Sequence, residues 1–115
     1  MEFETLTVSL FGPGPNSETI AGKEAEDLQD AHLDFLASLH VAGSLQAAGP
    51  FLSPPGRMVR GMTLHRLPPD EVRALLANDP AVRAGKLTFQ VFTWKVPKGA
   101  IVFAPTRFPR AQSET

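Results

Sequence analysis

The chain has 115 residues and no cysteine, and 11 basic against 12 acidic side chains leave a net charge of -1. That length builds one hydrophobic core, while the missing thiols exclude disulfides, thiolate nucleophiles and cysteine-based zinc sites. A near-neutral chain without a basic block lacks the electrostatic footprint of a nucleic-acid binder, so no nucleic-acid partner is expected. Apolar residues at 43% and charged residues at 20% exclude a disordered chain. No apolar run approaches the ~20 residues that cross a bilayer, and Met1, Glu2, Phe3 and Glu4 carry acid where a secretory signal carries base. A cytoplasmic protein with no membrane contact is therefore expected.

From Phe3 to Phe11 the residues alternate, with Leu6, Val8 and Leu10 on one face and Thr5, Thr7 and Ser9 on the other. This is the period of a half-buried strand, ended at Gly12 to Gly14. Between about Lys23 and Val41 the spacing of Leu28, Ala31, Phe35, Leu36 and Leu39 predicts a long helix that Gly43 terminates. Leu45 to Phe51 reads as a brief strand, followed by a loop from Leu52 to Arg57 and a third strand from Met58 to Leu67. In that third strand His65, beside Arg66, is expected in solvent.

Pro68, Pro69, Asp70 and Glu71 mark a second helix start, since proline suits a first turn and acids suit its positive end; Val72, Leu75 and Leu76 supply the buried face. Asp79 followed by Pro80 caps one further helical turn, stopped by Gly85. Leu87 to Val96 is the last strand, with Leu87, Phe89 and Val91 facing one way and Phe92, Trp94 and Val96 the other.

The order β, α, β, β, α, β is that of the ferredoxin-like α+β fold, an antiparallel sheet with two helices on one face. A single domain over 1–104 and a polar, Pro-rich tail over 105–115 that packs weakly are expected. The uncovered sheet face is strongly apolar along the last strand. Either a second copy of the chain or Ile101, Val102 and Phe103 folding back would bury it, and a homodimer is the simpler expectation.

Several short motifs occur in a fixed order: a helical histidine, His32, leading to Leu39; Gly43, Ser44 and Leu45; Ala48, Gly49 and Pro50; Asp79 and Pro80; and Gly85. As a set, spanning about Ala31 to Val96, they resemble the YciI-like family of small proteins. The resemblance implies a dimeric α+β barrel and a dyad of His32 and Asp79 at one end of the sheet, a site of unassigned substrate. It also implies chemistry without a cofactor, since a related group removes chloride from a hydroxylated aromatic ring. Ala81 stands where the family usually carries an aromatic residue, which points to a wider pocket or a different ligand.

Taken alone, His32 lies four residues after Leu28 and three before Phe35, on the apolar stripe of the helix and turned toward the sheet. It is either a core histidine bonded to a carbonyl or a general acid/base, since an imidazole exchanges protons near neutral pH. Asp79 is either a plain helix cap or the carboxylate that fixes the imidazole tautomer. His40, near the helix C-terminus, reads as structural. The three histidines have no metal-ligand spacing, so no metal is expected. The Gly12 to Pro15 and Ser53 to Arg57 loops have glycines but lack the lysine and hydroxyl residue of a phosphate cradle.

Gly49 and Pro50, with Arg57 or Arg60 attracting an acidic or phenolic ligand, are the expected substrate-binding residues. Two functions remain open: a cofactor-free isomerase, lyase or dehydrochlorinase working through His32 and Asp79, and a non-catalytic dimeric module that binds a small molecule.

Overall fold

A computed structural model describes residues 1–52 and 59–115. The elements run β1 (Phe3–Pro13), α1 (Gly22–Val41), β2 (Ala47–Pro50), β3 (Gly61–His65), α2 (Pro69–Leu76), α3 (Pro80–Arg83) and β4 (Leu87–Pro97), followed by a single 3-10 turn at Gln112–Glu114. Every strand pairing is antiparallel and the order across the sheet is β2-β3-β1-β4. This is the ferredoxin-like α+β fold that the element order predicts. Among the described residues no helix is long and apolar enough to cross a membrane.

The register decides which residues share a face, because directly opposed residues point to the same side of a sheet. Phe11 opposes both Gly61 and Phe89, and Ser9 opposes both Thr63 and Val91. Phe11, Phe89 and Val91 pack with Leu36 and Leu39 of α1 and with Val72 and Leu76 of α2, so this is the helix-covered face. Val72 and Leu76 lose all contact with water, which contributes about 1.5–3 kcal/mol for each side chain.

The two helices that supply the site, α1 and α3, end in the same way. Gly43, at φ 82°, follows α1; its N–H donates to His40 O and the N–H of Ser44 donates to Leu39 O. Gly85, at φ 79°, follows α3, with its own N–H on Val82 O and that of Lys86 on Ala81 O. These paired reverse bonds satisfy terminal carbonyls and need a left-handed residue, which glycine adopts without steric cost. The second turn sends Lys86 back against the β1–α1 connection, where Nζ donates to Ser17 O and Ile20 O at 2.9 and 2.8 Å.

Two expectations are corrected here. His65 is not in solvent: it is fully buried, on the helix-covered face of β3. Period-2 alternation separates two faces but does not say which one is covered, and here the helices cover the Thr7, Ser9, Thr63 and His65 face. The opposite face keeps Leu6, Val8 and Val96 buried and leaves Phe92 and Trp94 46% and 42% exposed, so residues 101–103 do not cover those two rings. The tail, too, is not loosely packed. Arg110 Nη1 donates to Asp34 Oδ1 at 2.6 Å, and the Gln112 backbone N–H donates to Asp30 Oδ1 at 2.8 Å.

Candidate active site

The site begins at the N-terminus of α3. Asp79 is its cap residue, with Oδ1 accepting from the backbone N–H of Ala81 at 2.9 Å, and Pro80 opens the first turn with no N–H to satisfy. The carboxylate is fully buried, and its second oxygen, Oδ2, lies 2.5 Å from Nδ1 of His32 on α1. An ionised carboxylate only accepts, so Nδ1 carries the proton and Nε2 is the ring's open position. Among the described residues Nε2 has no hydrogen-bond partner. The His32 ring makes a T-shaped contact with Phe11 of β1 at a centroid separation of 5.4 Å and 75° between planes, which holds the imidazole from a second direction.

His32 lines an open cleft of about 600 Å³. Leu33 and Leu36 of α1, Phe11 and Ala81 give it apolar walls, and Gly49, Pro50 and Arg60 lie along it from the β2–β3 side. Of the residues expected from sequence, His32, Gly49, Pro50 and Arg60 are thus brought together on one cleft, with Asp79 directly behind His32. Arg57 lies outside the described residues. Arg60 is exposed and forms no ion pair among the described residues, so its guanidinium is available to an anion. Ala81 is itself a wall of the cleft, where an aromatic ring would occupy space that the methyl group leaves open.

A second polar array reaches the cleft at Thr63. Nδ1 of His65 donates to Ser44 O at 2.7 Å, which leaves Nε2 to accept from the Thr63 hydroxyl, also at 2.7 Å. The Thr63 oxygen in turn meets the hydroxyl of Ser9. Burial pushes the pKa of His65 below its ordinary value, with the Ser44 hydrogen bond opposing, so the ring is neutral. Sequence reading missed this row because serine, threonine and histidine on alternate strand positions look like a wet face. The usable signal was Phe11, which by alternation shares the face of Thr7 and Ser9 and requires cover there.

His40 places Nδ1 2.7 Å from Leu45 O and Nε2 3.1 Å from Thr106 O, and stacks on Phe108 at 4.0 Å. With both nitrogens on backbone carbonyls it is a structural tie, as expected. Among the described residues no three His, Cys, Asp or Glu side chains gather as a metal site.

The fold and the site together define a small ferredoxin-like α+β protein in which a buried carboxylate stands behind a cleft-lining histidine. The chain belongs to the YCII-related domain family, whose model matches residues 5–95 and so takes in the first strand as well as the motif-bearing region. Among solved structures it is similar to 5-chloro-2-hydroxyhydroquinone dehydrochlorinase (TftG) from Burkholderia phenoliruptrix AC1100, in complex with 2,5-dihydroxybenzoquinone. The two share 25% identity with a TM-score of 0.56, over 77% of this chain and 92% of the other. No curated protein gives a significant match.

Proposed function

We propose that this protein is a cytoplasmic, homodimeric enzyme that moves a proton on a small hydroxylated or anionic ring, with His32 as the acid/base and Asp79 as its positioning residue. The observation that carries the reading is the asymmetry of the His32 ring, with Nδ1 held on a buried carboxylate and Nε2 uncommitted beside an open cleft. A histidine with only a packing role bonds both nitrogens internally, as His40 and His65 do. Arg60 supplies the charge that draws in a phenolate or carboxylate, and the apolar walls take the ring.

The step needs no cofactor, because the imidazole is itself the proton acceptor. An O–H or C–H bond of the substrate breaks toward Nε2, and the freed electron pair enters the ring system. Where the ring carries chlorine, the proton is returned to the chlorine-bearing carbon, giving the keto tautomer; loss of a second hydroxyl proton then expels chloride with the C–Cl pair, so a C–H bond replaces the C–Cl bond and the net loss is HCl with no oxidant or reductant. The likeness to a dehydrochlorinase supports this branch of the reading over a plain isomerisation. Homodimerisation is supported by the exposed Phe92 and Trp94 on the sheet face away from the helices.

The test is turnover of 5-chloro-2-hydroxyhydroquinone, followed as chloride release, together with binding of 2,5-dihydroxybenzoquinone. His32→Gln is expected to keep the circular dichroism spectrum and the ligand while lowering turnover by about 10²–10⁴-fold. Unchanged turnover in the variant removes His32 from the chemistry. Binding without turnover by the unaltered protein makes it a binding module.

A further inference from the structure

Beyond residue 95, where the family match ends, the chain doubles back along α1. Its contacts fall on one row of that helix at i, i+4 spacing: Gln112 Nε2 donates to Glu26 O at 3.1 Å and to Asp30 Oδ1 at 3.0 Å, and Arg110 Nη1 donates to Asp34 Oδ1 at 2.6 Å and to Ser38 Oγ at 3.3 Å. Phe108 stacks on His40 at the far end of the row. The backbone and side-chain hydrogen bonds from Gln112 hold the Asp30 carboxyl below its ordinary range, so the carboxylate is ionised and matched to these donors. Within the segment, Glu114 pairs with Arg107 and accepts from the Arg110 backbone N–H, both at 3.2 Å.

The position of this strap gives it a role. Phe108, Pro109 and Gln112 line the same cleft as His32, so one wall of the site is built from residues outside the shared family domain. We propose that residues 106–115 are the specificity-determining wall of the site, setting by its closure on α1 how large a ligand reaches His32. A wall held by side-chain hydrogen bonds and one stacked ring opens at far lower cost than the sheet or α1, which are fixed by a common core. Phe108 and Pro109 present apolar surface to a ring, and this selectivity rests on the ring-binding reading above.

The absence of native cysteine allows a test that does not require the substrate. Leu33→Cys places one thiol on the cleft wall of α1, and its modification rate is measured with methyl methanethiosulfonate and with the bulkier 5,5′-dithiobis(2-nitrobenzoate). In the otherwise unaltered full chain the bulky reagent is expected to be slowed relative to the small one. Adding Arg110→Ala and Gln112→Ala is expected to raise the bulky-reagent rate by about tenfold or more, with little change for the small reagent and none in the urea midpoint. An unchanged ratio of the two rates overturns the proposal, as does an equal rise for both reagents. Ala48→Cys, on the strand side of the cleft, repeats the measurement if Leu33→Cys lowers stability. Loss of the His32 chemistry would leave this result standing, because only access is read.

Discussion

Asp79 divides its two oxygens between two elements: Oδ1 takes the Ala81 N–H of α3 at 2.9 Å, and Oδ2 takes Nδ1 of His32 on α1 at 2.5 Å. Capping and orienting the imidazole are competing readings of an Asp-Pro pair, and here one buried carboxylate does both. The cap fixes the carboxylate, the carboxylate fixes the ring, and the ring lines the cleft with Nδ1 already committed.

Asp79→Asn separates the two tasks. The amide oxygen still caps Ala81, but an NH₂ group then faces the His32 N–H or forces the other tautomer. Turnover is expected to fall about 10²–10⁴-fold as the open nitrogen becomes protonated. Stability is expected to fall by about 1–3 kcal/mol for the stranded donor. Chloride release and urea unfolding measure the two effects, and a variant with full activity would show that the tautomer is irrelevant.

The buried His65 predicts a pH dependence with a definite sign. Its folded pKa lies below the ordinary 6.5, so below pH 6.5 the unfolded chain takes up a proton that the folded protein does not. Stability from this group is full above pH 6.5 and declines as pH falls from there toward the folded pKa. The urea midpoint is expected to drop between pH 7 and pH 5.5. In NMR titration the His65 ring is expected to stay neutral at pH 6.5, and half-protonation there would contradict the assigned network.

Phe92 and Trp94 test the homodimer. Both project from β4 on the face opposite the helices, and Trp94 stands opposite the buried Leu6. The double variant Phe92→Ser, Trp94→Ser is expected to sediment as a monomer with its helical content retained. A parent protein that already sediments as a monomer at tens of micromolar would remove the dimer from the proposed function.

Leu76 closes the core between α2 and the sheet and is fully buried. Leu76→Ala is expected to cost about 2–5 kcal/mol, the sum of lost transfer energy and a residual cavity. Leu52→Ala, at a side chain 91% exposed, is the control and is expected to change stability by less than about 0.5 kcal/mol. Comparable losses in the two variants would contradict the placement of the core.

Local signals carried far in this chain because they are strong and mutually consistent. The stripe on α1, the Pro-Pro-Asp-Glu start of α2, the Asp-Pro start of α3 and the glycines at 43 and 85 each act between residues close together in the chain, and each sits where the spacing predicts. The alternation in β4 likewise sorts Phe89 and Val91 inward and Phe92 and Trp94 outward.

What alternation could not say for β1 and β3 was which side the helices cover. That choice depends on where α1 and α2 return to the sheet, and it moved Thr7, Ser9, Thr63 and His65 into the interior. The tail misled for a related reason: Arg110 and Gln112 look solvated until the acceptors at 26, 30, 34 and 38 are seen to run beneath them.

Sequence by itself determined the elements and their order, because capping, periodicity and turn chemistry act between near neighbours; His32 and Asp79 entered as a pair only through the family resemblance. Only the tertiary structure decided that His32 and Asp79, 47 residues apart, share one hydrogen bond, and that the tail walls their cleft. Contacts of that range are set by how α1 and α3 pack on one sheet, which no local pattern encodes.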